Sequence, residues 1–514
     1  MCSISGIIAK DGESTNGRVL INNLSKHCIN MMKMLKHRGP DSSGIILDGN
    51  VYYFNSFENT DLDFDGTFRL GISHNRLAIV GTTIQPISNH DKSIWIVCNG
   101  EIYNHVKLRE NLATEHEFKT DSDSEVIIHS YEDELVDILD GDYAYALYNK
   151  EKNLLELRRD LMGVKPLFYL NRKDYFAFSS EKKALFYCLM EIEGMDFYSA
   201  FNFNEIHRVN PNSRIIYELN ENSYYIEDNL EKINSNYFEG VNYEKCKDEL
   251  ENALLESVLK RVNGIEKVGI IYSGGVDSTL ISKIASEFSN VTLYSVGTKD
   301  SEDLIYAERA AIEMGLKFRK KIILKEDYEK YLLSVAQAID ELDVMKLSVG
   351  IPIYVASQMA KEDGITVVLS GQGADELFAG YHRYKRIYDE NGEEYLKESI
   401  KKDVYNIYRA NLERDDHVTM ANGVELRVPF LDKKVVEVSL SIPVKYKIEG
   451  QGKKILREIA LKYIPEYIAE RPKKAAQYGS GSEKMVYSVS KDYGYSKKEI
   501  SKFFENVLIE KIRF

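Results

Sequence analysis

The sequence has too few cysteines, in the wrong places, for a disulfide scaffold. Five thiols are scattered over 514 residues at Cys2, Cys28, Cys98, Cys188 and Cys246. They form no CxxC pair and no even framework, which argues against a structural zinc and for a reducing compartment. There is no basic flank leading into an apolar start, so no secretory signal is expected. No uninterrupted apolar run approaches the roughly 18–20 residues of a membrane span. Internal repeats, low-complexity tracts and a Pro/Gly-rich linker are also missing. A surplus of positive charge is lacking too: the net charge is -14 with both signs interleaved, which disfavours nonspecific binding to nucleic acid or an anionic membrane. The expectation is a cytoplasmic protein without nucleic-acid or membrane partners.

What is present suffices for large globular folds. The hydrophobic fraction is 44%, and 514 residues exceed what one core usually organises, so two or more domains follow. The first part is rich in short strand-like stretches: SISGIIA, GIILDGNVYYF, RLGISHNRLAIV, SIWIVCNGEIY, YAYALYNK, LLELRRD and YFAFSS. NNLSKHCINMMKMLKH reads as a helix with Leu24, Cys28, Met31 and Met32 on one face. After about residue 240 the pattern becomes alternating. The helix YEKCKDELENALLESVLKRV precedes the strand KVGIIYSGG, followed by the helix DSTLISKIASEFS, whose Leu280, Ile281, Ile284 and Phe288 are expected to face inward. VTLYSVGT, FRKKIIL and ITVVLSG are further strands, separated by LIYAERAAIEMG and by VAQAIDEL with IPIYVASQMAKEDG, all read as helices. Such alternation implies a parallel sheet covered by helices. The segment from about 205 to 243 looks like the join.

SGGVDS, Ser273 to Ser278, lies between a strand and a helix. Gly274 and Gly275 allow backbone N–H groups close to an anion, and the helix N-terminus favours negative charge. Ser273 and Ser278 can donate hydrogen bonds, and Asp277 could hold magnesium on phosphates. No lysine follows the glycines, so the loop is not a γ-phosphoryl-transfer loop. SGQGADELFAGY, Ser370 to Tyr381, follows another strand and should open on the same crevice, with Asp375 as a second magnesium ligand.

Position 2 places a thiol where removal of Met1 would also expose the chain's α-amine. That amine, with a reference pKa of about 7.7–8.0, can serve as base for its own residue's thiol. Further along stand HRGPDSSG, HNRLAIV, NGEIYN and TDSDSEV. Arg76 offers a bidentate anchor for a glutamine carboxylate. Asp123 and Glu101 offer partners for its ammonium. The Asn99 amide and the Gly100 N–H offer an oxyanion hole. Taken singly, Arg76 or Asp123 reads equally well as half of a surface ion pair.

These motifs, in this order, resemble the glutamine-hydrolysing asparagine synthetases, and the similarity runs from MCSISGI to ANGVELRVPFLD and GKKILREIA. The resemblance implies two domains: an N-terminal-nucleophile αββα sandwich over residues 2–215, then a parallel-sheet α/β domain of ATP pyrophosphatase type over 240–514. It implies glutamine, aspartate and ATP as substrates, with Mg2+, and leaves a homodimer open. Carried over by position, Cys2 is the nucleophile, and Arg76, Leu77, Ala78, Ile79, Val80, Asn99, Gly100, Glu101 and Asp123 form the glutamine site. Tyr272, Ser273, Gly274, Gly275, Asp277, Ser278, Val296, Ser370 and Gly371 contact ATP. Asp277 and Asp375 hold magnesium. Lys453, or Lys454 beside it, supplies the cation at the reacting phosphorus. The scheme is a cysteinyl thioester, ammonia carried through a buried channel, and a β-aspartyl-AMP intermediate.

Two stretches depart from that pattern. Gln372 stands where well-known family members carry glutamate, and an amide can hydrogen-bond but not act as a base. Ile339 to Pro352 has Lys346 and Ser348 instead of a threonine-rich run with arginine, so Lys346 or Arg427 is expected to read the acceptor's α-carboxylate. Two other readings stay open: a related enzyme that adenylates another carboxylate, and a glutamine or nucleotide sensor without catalysis.

Overall fold

The structure is a computed structural model, and it describes residues 2–10, 15–55, 64–79, 81–229, 233–235, 242–299, 301–472 and 480–512. Side chains of the first helix are described from Leu20 onward. The chain divides into one unit running to Glu231 and a second from Lys232.

The first unit is built from two sheets. One orders its strands His207–Arg208, Phe168–Asn171, Tyr175–Ser179, Ser3–Ala9, Leu70–Arg76, Ser42–Leu47 and Asn50–Phe54. The other runs Ser223–Asp228, Ser213–Glu218, Leu154–Arg159, Gly141–Asn149, Ile94–Ile102 and Ile87–Ser88. Period-two alternation sorts their side chains into three cores. From the first strand, Ile4 and Ile8 point, with Ile72 of the neighbouring strand, at the facing sheet, where they meet Val97, Ala146 and Leu157. Its Ile7 and Ala9 point the other way, under the helices Thr15–Met34 and Lys183–Glu193. Ile94, Ile96 and Cys98 of the second sheet pack outward beneath the helices His105–Leu112 and Glu125–Glu132. The result is an αββα sandwich. Leu24, Cys28, Met31 and Met32 are all buried, as the helical spacing predicts.

GIILDGNVYYF is two strands rather than one. Asp48 and Gly49 both take positive φ, 47° and 91°, between the paired residues Leu47 and Asn50. An Asp-Gly pair in that conformation is the favoured two-residue hairpin turn. The stretch read as a join also carries structure: Ser213–Glu218 and Ser223–Asp228 form a hairpin that completes the second sheet, beyond residue 215.

The second unit has a five-stranded sheet, all parallel, ordered Lys317–Ile322, Asn290–Gly297, Lys267–Ile271, Val367–Leu369 and Glu425–Arg427. Inner strands are apolar on both faces because helices cover both. The lysine-rich Lys317–Ile322 is an edge, where charge discourages further strand pairing. Phe288 is 44% exposed, contrary to expectation. It lies beyond the end of the helix Val276–Ala285, so the helical spacing no longer aims it inward.

Candidate functional sites

In the first unit, Cys2 enters the strand Ser3–Ala9, which pairs Ser3 with Asn75 of Leu70–Arg76. The Cys2 backbone nitrogen donates to Asn99 Oδ1 at 3.1 Å. That spends the carbonyl side of the Asn99 amide. Its Nδ2 is buried and has no hydrogen-bond partner among the described residues. An unmade buried bond of this kind costs about 1–3 kcal/mol, so a donor kept without a partner is a place for an incoming acceptor. Gly100 follows with φ 155°, and a Cβ there would lie 2.2 Å from the Asp142 carbonyl oxygen. Only glycine lets the strands approach so closely at this point.

Asp123 Oδ2 accepts from the Ile102 N–H at 2.8 Å, tying its loop to the strand that carries Asn99, Gly100 and Glu101. Arg76 ends its strand and donates to the Gly81 carbonyl at 2.5 Å. Leu77 is buried, and the Ala78 N–H donates to Asp41 Oδ2 at 2.7 Å. Ile79 is half-buried, whereas Val80 lies outside the described residues. Cys2, Asn99, Gly100, Glu101 and Asp123 are thus linked through one strand and its partners. Arg76 is the next residue after Asn75, at the same sheet end as Cys2.

Two groups here had no assigned role in the sequence reading. Arg38, fully buried, donates from Nε to the Cys2 carbonyl at 3.2 Å and from Nη1 to Glu181 at 2.7 Å. Glu181 also meets His37 and Lys183. Burial alone would raise the Glu181 carboxyl, but His37, Lys183 and Arg38 together hold it well below the usual range. Arg38 lies inside HRGPDSSG, so the motif marked it; Glu181 carries no local signal.

In the second unit, the loops after Lys267–Ile271 and Val367–Leu369 meet at the carboxyl ends of adjacent strands. The neighbour on one side of Lys267–Ile271 comes next in the chain, and the other comes much later, which is the switch point where open parallel sheets bind ligands. A cavity of about 540 Å³ opens there. Tyr272, Ser273, Asp277, Ser278, Val296, Ser370, Gly371, Gln372 and Asp375 line it. Gly274 has φ 67°, and a Cβ would lie 2.7 Å from the Ala307 nitrogen. Gly275 caps the helix Val276–Ala285, so that helix's first N–H groups sit at the loop.

Lys453 is 1% exposed, and its Nζ lies 2.6 Å from both Asp277 Oδ2 and Asp375 Oδ1. A Cβ on Gly380 would lie 2.2 Å from both Asp375 Oδ1 and Lys453 Cε, so glycine makes room for this contact. Lys454 points elsewhere and pairs with Glu449. The other Asp277 oxygen, Oδ1, is buried without a hydrogen-bond partner among the described residues.

The acceptor expectation needs correcting. Lys346 pairs with Glu341, and the buried Arg427 is bound to Glu425 at 2.7 Å and to the Arg261 carbonyl at 2.8 Å. Neither lines the cavity. The arginines that do are Arg383 and Arg414. Arg414 follows a π-helical turn, Tyr408–Leu412, whose Ala410 and Asn411 also face the cavity. Such turns recur at functional sites. Arg471 was also missed: it holds the Ser273 and Gly274 carbonyls, at 3.4 and 3.1 Å, and Asp303 at 2.7 Å. The end of the chain packs onto this unit where it is described. Ser480 lines the cavity, its carbonyl accepts from the Thr298 N–H at 2.9 Å, and the Tyr328 hydroxyl donates to the Ser482 carbonyl at 2.9 Å.

An αββα unit with a cysteine at its strand entrance, followed by a parallel-sheet unit with a glycine anion loop, defines an amidotransferase joined to a nucleotide-dependent synthetase. The family comparisons agree: residues 60–238 match the glutamine amidotransferase domain, and residues 249–391 and 388–493 match asparagine synthase. The chain belongs to the glutamine-hydrolysing asparagine synthetase family. It is 55% identical to a Methanocaldococcus jannaschii protein named "Putative asparagine synthetase (glutamine-hydrolyzing) 1", over 98% of each chain. It is 29% identical to asparagine synthetase B (glutamine-hydrolyzing) of Escherichia coli, over 94% of this chain and 83% of that one.

Proposed function

We propose that this chain makes asparagine from aspartate, with glutamine as nitrogen donor and ATP as energy source. The observation that carries the reading is the Asp277–Lys453–Asp375 cluster beside the glycine loop, in a chain that also holds Cys2 against Asn99. In the first unit, the Cys2 thiolate attacks the glutamine side-chain carbonyl. The amide nitrogen leaves as ammonia, and water releases glutamate from the thioester. Asn99 Nδ2 and the Gly100 N–H stabilise the oxyanion, while Asn99 Oδ1 holds the Cys2 nitrogen that becomes the α-amine once Met1 is removed. Arg76, Leu77 to Val80, Glu101 and Asp123 hold the amino-acid end of glutamine.

In the second unit, Ser273 to Ser278 with Ser370 and Gly371 cradle the phosphates of ATP, and Tyr272 and Val296 flank adenine. An aspartate side-chain oxygen attacks the α-phosphorus, pyrophosphate leaves, and ammonia then displaces AMP. Lys453 stabilises the charge that develops at the phosphorus. Asp277 and Asp375 suit a magnesium ion: a cation already bridges them, and one Asp277 oxygen still has its lone pairs to give. When bound, that ion would neutralise charge on the departing pyrophosphate.

The test is product analysis with amide-15N glutamine, aspartate and ATP. The expected products are 15N-asparagine, glutamate, AMP and pyrophosphate in equal amounts. ADP in place of AMP, or an amide on a different acid, would overturn the reading.

A further inference from the structure

The departure at Gln372 acquires a partner in the fold. Gln372 Nε2 donates to Asp415 Oδ2 at 2.5 Å, and both residues sit in the second unit. Asp415 is 1% exposed. Its other oxygen, Oδ1, accepts from Arg414, at 2.7 Å from Nε and 2.6 Å from Nη2. Gln372 and Arg414 line the cavity, and Asp415 stands behind them. A neutral amide has therefore replaced a charge at the cavity wall, and a carboxylate lies one hydrogen bond further back.

That arrangement has a chemical consequence. A carboxylate can only accept, so it forces the NH₂ end of the Gln372 amide inward. The carbonyl oxygen Oε1 is left on the opposite side, near Asn411 Nδ2 at 3.5 Å, which also lines the cavity. The cavity wall thus offers an acceptor oxygen from Gln372 beside a guanidinium from Arg414, both fixed by one buried anion. An acceptor and a planar cation side by side match the two ends of an α-amino acid zwitterion. Burial pushes the Asp415 carboxyl up, while the Arg414 charge and the Gln372 amide pull it back.

We propose that Asp415 is the positioning residue of the acceptor site: it orients Gln372 so that Oε1 receives the α-ammonium of the acceptor amino acid, and orients Arg414 to receive the α-carboxylate. This rests on the function proposed above and names how its acceptor is read. Free aspartate, rather than a carboxylate lacking an α-amine, is the class of acceptor such a pair selects. The glutamate-to-glutamine change is then not a loss of the acceptor site but an exchange of a direct charge for a relayed one.

The experiment uses the full chain with ammonium chloride as nitrogen source, so that glutamine hydrolysis is not needed. It compares the wild type, Gln372→Met, Asp415→Asn, Gln372→Glu and the double variant Gln372→Glu/Asp415→Asn. Each is checked by melting temperature, and pyrophosphate release is read for aspartate and for succinate, which lacks the α-amine. Gln372→Met and Asp415→Asn are expected to raise the aspartate KM at least tenfold while the ATP KM stays within twofold. Gln372→Glu alone sets two carboxylates against each other and is expected to fail similarly. The double variant moves the carboxylate to the cavity wall, with an amide behind it, and is expected to recover most of the lost affinity. Should Asp415→Asn not fold, Gln372→Met and the double variant still decide. An unchanged aspartate KM in Gln372→Met, or a double variant no better than Gln372→Glu, would overturn the proposal. A wild type that releases no pyrophosphate with aspartate but does so with another amino acid overturns the acceptor named above. The same variants, read with that amino acid, then still test Asp415.

Discussion

The two sites solve opposite electrostatic problems. Around Cys2, charge is neutralised before any substrate arrives: Glu181 is enclosed by Arg38, His37 and Lys183, and Arg38 reaches the Cys2 carbonyl. What the site holds ready is a neutral donor, Asn99 Nδ2. Around Lys453, charge is concentrated and partly uncompensated, with two carboxylates on one ammonium and an Asp277 oxygen still unpartnered among the described residues. Acyl transfer through a thioester moves a modest charge over a short distance, and fixed dipoles suffice for it. Adenylation expels a polyanion and needs full charges to meet it. One chain thus keeps a quiet site and a charged one in separate units.

The largest test of that contrast removes the nucleophile. Cys2→Ala should abolish glutamine-dependent synthesis, by on the order of 10³-fold or more, because no other group there forms the thioester. Synthesis with ammonium chloride should continue within a few-fold of the wild type. Parallel assays with the two nitrogen sources read both numbers, and an equal loss in both would break the separation. Lys453→Met comes next. It should cut ammonium-dependent synthesis by about 10²–10³-fold, the scale of one lost charge-stabilising contact, and leave glutaminase turnover unaltered. Asn99→Asp is the matching change in the quiet site: it keeps the acceptor for the Cys2 nitrogen but removes the donor. Glutaminase kcat should fall about 10²-fold, with the glutamine KM changing less. If KM moved and kcat did not, Asn99 would be a ground-state contact rather than an oxyanion donor.

How much of this the sequence disclosed depended on whether a contact is local. The glycine loops, Cys2, and Asp277 with Asp375 sit in short motifs whose chemistry is fixed by neighbours. The long strands showed themselves through β-branched and aromatic residues set between turn residues, as in Ser3–Ala9 and Ile94–Ile102. Glu425–Arg427 is three residues long, and no period emerges in so short a span, whereas the equally short Val367–Leu369 was legible from its apolar run ending at a glycine turn. The hairpin Ser213–Asp228 escaped because its outer strand is largely exposed and polar, so it reads as a linker. Contacts between distant segments were invisible. Nothing local links Glu181 to Arg38, or Asp415 to Gln372 across 43 positions. Arg427 looked suitable as a free cation beside VPFLD until the fold closed Glu425 and Arg261 around it.

The smallest effects separate the units by pH. In the first, burial holds His74 neutral and lowers its pKa to about 3, despite its contact with the Cys98 carbonyl. Between that value and the unfolded pKa of about 6.5, the unfolded chain binds a proton that the folded one refuses. Stability therefore rises with pH across this window and is lost as pH falls below about 6.5. In the second unit, burial, reinforced by Lys397, lowers Lys447 to about 7. The unfolded chain is then the more protonated state from about pH 7 to about 10.4, and this lysine adds stability as pH rises through that range. As pH falls, the Lys447 contribution to the second unit should be lost first, down to about pH 7, and the His74 contribution to the first unit only below about 6.5, while mild alkali should favour the second unit. Thermal unfolding from pH 5 to 9, followed separately in the two units by hydrogen exchange, measures both slopes. His74→Gln should flatten the acid slope of the first unit and leave the alkaline slope of the second intact. Lys447→Met should do the converse, and a variant that flattened both slopes would show that the two units do not unfold independently.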